Sequence, residues 1–536
     1  MTRGVATAAA LIAVVTVGAR LAGFGRTVVF SQTVGDTCLG TAYVTANQLP
    51  AVLFEIVIGG ALTAMVVPVL AASVQHGDHE RVRHTASALV TWVLLLSLPL
   101  AALLALASVP AMTLLLGAGT GCDRAALVSL AARMLVVFAP QVVFYGLAAV
   151  LYGVLQSHRR FLGPALAPLV SSLVVIAAYL AFVPLGADQR QDLGALTLPA
   201  ELVLSLGTTA GVVALFLTVL GPAWSLRLRL RPRLTFPPGV GARVRSLALA
   251  SLLPLVAMQV SLLLSVALAN WGGGAGASVL YSYAWALFTL PYGVIAVPIA
   301  TSAFTALAVH VAEGDRAGFA RLLSASARAC VVITAGVGTA LAAAAGPLAA
   351  VLAQVEPAPL ERALLAYAPG VVGFGLVALY SRALYASHHG RPAAAAQVTG
   401  WIVVMACAVG LVWALSPGWA IAGLGAASTA GLSLAAALLC AGVARAHGGG
   451  ALAGLGRSLV AALVAGALGG ACGRWVSASL ERALGEGVGV TVLVAVTAGG
   501  AAMVVFGAVA VLVDRSALRT VADRARNVRE RGRGTR

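Results

Sequence analysis

The chain has 536 residues, 60% of them hydrophobic and only 10% charged, with a mean hydropathy of +0.99. Soluble domains carry about 25% charged residues, so this composition excludes a water-soluble globule and describes a polytopic membrane protein. The net charge is +17 and every one of the 34 basic residues is arginine; without a lysine there is no G-x-x-x-x-G-K-[ST] loop, which excludes ATP hydrolysis of the P-loop kind.

A bilayer span takes about 20 apolar residues. By that rule the sequence predicts an all-α membrane fold of about fourteen helices, near 5–30, 41–72, 86–115, 127–155, 163–184, 200–222, 246–270, 278–309, 322–351, 361–386, 394–415, 419–445, 456–475 and 488–513. Arg20 and the continuing apolar run to Val29 mark the first as an uncleaved helix rather than a signal peptide.

The first helical pair carries charge where hydrocarbon should surround it: Arg20, Arg26 and Glu55. Such a charge costs about 2.5–3.5 kcal/mol at the bilayer centre, so it normally faces a bundle interior or a watery cavity. A positively lined cavity is one reading; in the other, Arg26 snorkels to the interface and Glu55 neutralises Arg20. Arg20 and Arg26 stand six residues apart, about 9 Å along a helix and about 120° around it, which suits successive depths. Asn47, Gln48, Gln259, Tyr281 and Tyr283 are polar companions for the cavity, or else donors and acceptors between helices.

The loops set the topology. About 26 arginines fall on one side and about 6 on the other, which places both termini in the cytoplasm and requires an even number of spans. Arginines spread through short loops point to membrane topology and not to nucleic acid. The run Arg227-Leu-Arg-Leu-Arg-Pro-Arg233, continuing to Arg245, reads as a lobe boundary. The expected organisation is an N-lobe of six helices (1–226), a basic cytoplasmic linker (227–245), a second six-helix lobe (246–445), a helix pair (446–513) and a basic tail (514–536). That tail either lies on the anionic leaflet, at about 1 kcal/mol per arginine, or is a solvated end. An internal echo joins Leu151–Pro164 (LYGVLQSHRRFLGP) to Leu384–Pro392 (LYASHHGRP), six predicted helices apart, as expected of an alternating-access transporter built from repeats.

The six cysteines form no C-x-x-C pair, and no His-x-x-x-His or paired catalytic carboxylates occur, so neither a metal site nor an enzyme is expected. Cys38 and Cys122 fall in outer turns of a disulfide-permitting compartment: they form a bridge there, or are two unrelated thiols. Cys330, Cys407, Cys440 and Cys472 lie within or beside spans and are expected to be buried thiols.

Several stretches carry a family resemblance. R-L-x-G-F-x-R from Arg20, A-Y-x-x-A-x-x-L-P from Ala42, G-G-A-L-T-x-x-x-V-P from Gly59, Arg160-Phe161 with Pro164-Ala165 and Ala167-Pro168, Tyr281 to Val294, and Arg382, Tyr385-Ala386 and Arg391-Pro392 resemble the lipid II flippase family, the MurJ/MviN branch of the multidrug/oligosaccharidyl-lipid/polysaccharide exporter superfamily. The resemblance implies a plasma-membrane flippase that carries lipid-linked peptidoglycan precursor from the inner to the outer leaflet by alternating access. It implies that Arg20 and Arg26 line the central cavity. The planar arginine fork suits the substrate's diphosphate. With no ATP site, the driving force is expected from the membrane potential or an ion gradient, with Glu55 as the candidate coupling carboxylate; the partners are lipid II, the bilayer and cell-wall synthesis proteins. The chain departs from the family at Thr41 (usually Asp), Ala51 (usually Asn) and Trp285-Ala286 (often Asp-Arg). Those departures keep two alternatives open: a paralogous exporter of another lipid-linked glycan or amphipathic metabolite, and a transport-dead cell-wall scaffold.

Overall fold

The computed structural model describes residues 2–56, 70, 73–74, 76–117, 121–228, 230–236, 240–485 and 487–513, with side chains left out at 2–10, 12–13 and 240–251. The expected basic tail and the second half of the second span, 57–69, lie outside the described residues. All regular secondary structure among the described residues is helical, with no strand.

In chain order the helices are α1 Thr2–Thr33, α2 Cys38–Phe54, α3 His79–Leu106, α4 Ser108–Leu116, α5 Arg124–Phe138, α6 Gln141–Ser157, α7 Leu162–Gly186, α8 Leu198–Trp224, α9 Val240–Gly272 and α10 Ala277–Pro291. After a π turn at Tyr292–Ala296 follow α11 Val297–Ala312, α12 Arg316–Ala343, α13 Ala345–Leu352, α14 Pro357–Tyr367, α15 Gly370–Ala386, α16 Gly390–Ala414, α17 Ala420–His447, α18 Leu455–Leu484 and α19 Val488–Val513. Among the described residues 12 helices are long and apolar enough to span a membrane, and 13 if α14 and α15, bent by 43° at Ala368-Pro369, make one span. The expected fourteen is therefore not established: the second span runs into 57–69.

Short polar side chains set the helix starts. Thr37 accepts the Gly40 N–H, Asp78 the Arg81 N–H, Asp123 those of Ala125 and Ala126, and Asp315 that of Gly318. These bonds satisfy amides that a helix start leaves without partners. Among the described residues three non-glycines have positive φ, Arg159 (58°), Arg227 (50°) and His388 (63°), each just past a helix C-terminus. The Arg160 and His389 amides then reach back to the Leu155 and Leu384 carbonyls, both at 2.8 Å. The two copies of the internal echo thus close their helices alike. Counted from the shared Leu-Tyr pair, the second copy does so four residues earlier, about one turn.

The chain forms two compact units, residues 1–279 and 280–536. In the first, α7 pairs with α8 and carries α1, while α2 packs on α5 and α6, and α9 on α2 and α4. One end is tied down: Leu39 donates to the Arg190 carbonyl (3.1 Å), Arg190 to that of Thr33 (3.1 Å), and Cys38 and Cys122 form a disulfide with Cα atoms 5.9 Å apart. Gly276, at φ +75°, lies so close to the Asp36 backbone that no Cβ would fit. Of the remaining cysteines Cys330 is buried, whereas Cys407, Cys440 and Cys472 are only half-buried, which corrects the expectation of four buried thiols.

In the second unit α12 packs on α15, α18 and α19, and α17 on α14, α15 and α16. Small residues allow this. A Cβ on Gly400 would lie 2.9 Å from the Gly431 carbonyl, and one on Gly473 would lie 2.8 Å from that of Ala498. Helix backbones meet this way in a bilayer, where packing rather than water exclusion holds helices together.

Candidate functional site

Arg20 and Arg26 project from α1, both exposed, and no ion pair among the described residues engages either arginine or Glu55. The alternative in which Glu55 neutralises Arg20 is therefore not realised here. One turn beyond Arg26, Phe30 is buried with its ring 5.1 Å from those of Tyr43 and Tyr179. The Tyr43 hydroxyl shares hydrogen bonds of 2.7 Å with the Tyr179 hydroxyl and with Thr208 Oγ1. Phe138 meets the Tyr43 ring edge-on at 5.6 Å. Five helices (α1, α2, α5, α7 and α8) thus meet in one aromatic and hydroxyl knot, and its buried hydroxyls are paired, which makes it a rigid floor under Arg26.

The field of Arg26 reaches the phenols of Tyr43 and Tyr145. Tyr145, on α6, also packs its ring 5.5 Å from Phe54, the neighbour of Glu55. Along α2, Tyr43, Asn47, Ala51 and Glu55 follow at i+4, a stripe whose last three members are half-buried. Arg26, Tyr145 and the end of this stripe form one neighbourhood. Arg20 lies further back on α1. Gln259 is buried on α9, and Tyr283 is buried in the other unit.

Sequence reasoning missed three polar groups. Tyr145 gave no signal, being one tyrosine on an apolar helix. Asn270, fully buried, donates to Thr45 Oγ1 (3.0 Å) and to the Leu115 carbonyl (3.1 Å), tying α9 to α2 and α4. Glu201, in the first turn of α8, is a buried carboxylate; Arg133 grips it with Nη2 at 2.8 Å and Nε at 3.0 Å. Thr41 is fully buried, and its hydroxyl accepts the Gly276 N–H at 3.0 Å. At this departure a neutral oxygen does the accepting.

The second unit presents two further features. Tyr281, Trp285, Phe288, Tyr367, Phe374 and Tyr292 form a continuous run of ring contacts, ending in a Tyr292–Phe374 stack at 3.7 Å. Tyr292 is the first residue of the π turn that follows Pro291. A cavity of about 550 Å³ opens among α12, α15, α17 and α18, lined almost wholly by apolar and small residues such as Gly338, Gly373, Leu376, Cys440 and Leu463. Among the described residues no group of three or more His, Cys, Asp or Glu side chains could hold a metal.

Arg20 and Arg26 are thus exposed on a spanning helix with no ion pair among the described residues, and Arg26 lies one turn from the aromatic and hydroxyl knot. A family model described as lipid II flippase MurJ matches residues 30–495. The chain belongs to the lipid II flippase family. Among its relatives, a probable lipid II flippase MurJ of Rhizobium meliloti (strain 1021) is 26% identical over 373 residues, 68% of this chain and 66% of the relative. The lipid II flippase MurJ of Burkholderia cenocepacia is 25% identical over 68% of this chain and 70% of its own length. The match thus spans just under two thirds of the Rhizobium relative. Of solved structures, that of lipid II flippase MurJ in an inward closed conformation aligns with TM-score 0.69 and 17% identity, covering 94% of this chain and 98% of that one. A multidrug resistance MATE family transporter in an inward-facing conformation aligns with TM-score 0.55 and 17% identity over 80% of this chain and 92% of its own. These likenesses establish the lipid II flippase fold for a multi-pass membrane protein.

Proposed function

We propose that this chain carries lipid II from the inner to the outer leaflet of the plasma membrane by alternating access, as a transporter and not an enzyme, with both termini in the cytoplasm. The observation that carries the reading is Arg26: an exposed guanidinium on a spanning helix, free of any ion pair among the described residues and held over the Tyr43–Tyr179–Thr208 knot and beside Tyr145. A guanidinium so placed takes a diphosphate through charge-assisted bidentate hydrogen bonds. Arg20 receives the headgroup at a second depth. Asn47, half-buried one turn from Ala51 on the Glu55 face of α2, adds a polar contact for the sugar and peptide.

Transport is driven by the membrane potential, at about 2.3 kcal/mol per charge per 100 mV, or by an ion gradient read at Glu55. Cell-wall synthesis proteins are the expected protein partners. The test is growth of cells depleted of their own lipid II flippase, with flipping of a fluorescent lipid II in proteoliposomes as the direct readout. Rescue by the wild-type chain and its loss in Arg26→Ala support the reading. Growth failure with active flipping of another lipid-linked glycan points to a paralogous exporter.

A further inference from the structure

Where α8 ends, the basic linker does not wander off. Residues 230–236 are extended and lie along α3, held by four hydrogen bonds. Ser87 Oγ accepts the Arg231 N–H (3.1 Å) and Thr91 Oγ1 the Arg233 N–H (3.0 Å). His84 Nε2 donates to the Thr235 carbonyl (2.9 Å) and Trp92 Nε1 to that of Leu234 (2.9 Å). A segment fixed through its backbone leaves its side chains to do something else. Arg231, Arg233, Leu230 and Leu234 are all exposed, as is Trp224 at the end of α8.

Beside it a polar pocket of about 430 Å³ is lined by His79, Glu80, Arg83, Leu226, Arg227 and Leu228. Its acidic member is partly used, since Glu80 pairs with Arg83 at 3.3 Å, and nearby Asp78 caps the first turn of α3. Arg227 has a positive φ of 50°, a conformation that non-glycine residues seldom adopt. The pocket sits at the start of the span His79–Leu106 and just past the end of the span Leu198–Trp224, hence at headgroup level. Exposed tryptophan and leucine beside arginines is the composition of a membrane interface.

The geometry points to an acidic-phospholipid site on this face. The headgroup phosphate enters the pocket between His79, Arg83 and Arg227, Arg231 and Arg233 engage neighbouring headgroups, and Leu230, Leu234 and Trp224 dip into the acyl region. The occupant is a bilayer lipid, not the transported one, so the site stands apart from the flippase reading.

The test uses the full chain in nanodiscs of phosphatidylcholine and phosphatidylglycerol at 4:1, with retained lipid counted by native mass spectrometry. Wild type retains phosphatidylglycerol, and the triple variant Arg227→Gln/Arg231→Gln/Arg233→Gln loses it by about fivefold per arginine, on the order of 100-fold in all. The charge-conserving triple Arg→Lys variant keeps most of the retention, which guards against a folding defect. Two results overturn the proposal. One is an equal loss in Arg391→Gln/Arg445→Gln, which would mean a diffuse positive surface. The other is complete displacement of the lipid by about 10 mM inorganic phosphate at a fixed ionic strength of about 0.15 M, which would mean a free-anion site.

Discussion

At the scale of single residues, Arg26 supplies a charge with no ion pair among the described residues, and Tyr145 packs against Phe54 at the end of α2. Arg26→Ala is expected to lower flipping on the order of 100-fold, the loss of a charged hydrogen-bond pair, with membrane insertion unchanged; Arg26→Lys keeps the charge, loses the fork and falls in between. Proteoliposome flipping rates set against yield in the membrane fraction check both. Glu55→Gln is expected to flatten the pH or cation dependence of transport, and a full pH profile identical to wild type would end its coupling role. A different consequence follows from the positive φ of Arg159 and His388. Both are exposed at helix ends where glycine pays no steric cost, so Arg159→Gly and His388→Gly are each expected to stabilise by about 1 kcal/mol. Thermal unfolding in detergent reads this as a raised midpoint.

At the scale of elements, close approach of backbones and one covalent tie hold the helices. Gly473 of α18 faces the Ala498 carbonyl, whereas Gly500 of α19 has nothing within 4 Å of an added Cβ. Alanine is the better helix former by about 1 kcal/mol. Gly500→Ala should therefore raise the unfolding midpoint, while Gly473→Ala should lower it because the helices must separate. The Cys38–Cys122 bridge closes a loop with a sequence separation of 84, worth about 4 kcal/mol in the chain-entropy account. Alkylation of non-reduced protein should leave both cysteines unlabelled, and Cys38→Ser/Cys122→Ser should lower the midpoint by several degrees. Labelling of either residue in native protein would remove the bridge.

On the scale of the whole molecule, two compact units of similar length match a fold shared by lipid II flippases and MATE transporters. The arginine bias predicts a C-terminus on the cytoplasmic side. A cysteine appended there should react with a membrane-impermeant maleimide only after the cells are opened; reaction in intact cells would invert the topology.

Composition alone determined the solvent of this protein, since a chain with 10% charged residues and repeated apolar runs has nowhere to fold but a bilayer. Local pattern determined the approximate positions of most spans and the anomaly of Arg20, Arg26 and Glu55, because charge in an apolar span is costly enough to show in one dimension. The pairing of Cys38 with Cys122 stayed open there, since compartment permits a bridge and only the distance between Cα atoms makes one. The tertiary structure alone decided that Glu55 forms no ion pair with Arg20, that Glu201 goes to Arg133, that Tyr145 packs on Phe54 and that Asn270 ties α9 to α2 and α4. It alone laid the basic linker along Ser87 and Thr91. Each of these rests on which face of one helix meets which face of another, and in a bilayer that choice follows from side-chain fit and hydrogen bonding between residues as much as 235 apart in the chain, not from the hydrophobic pattern that every face shares.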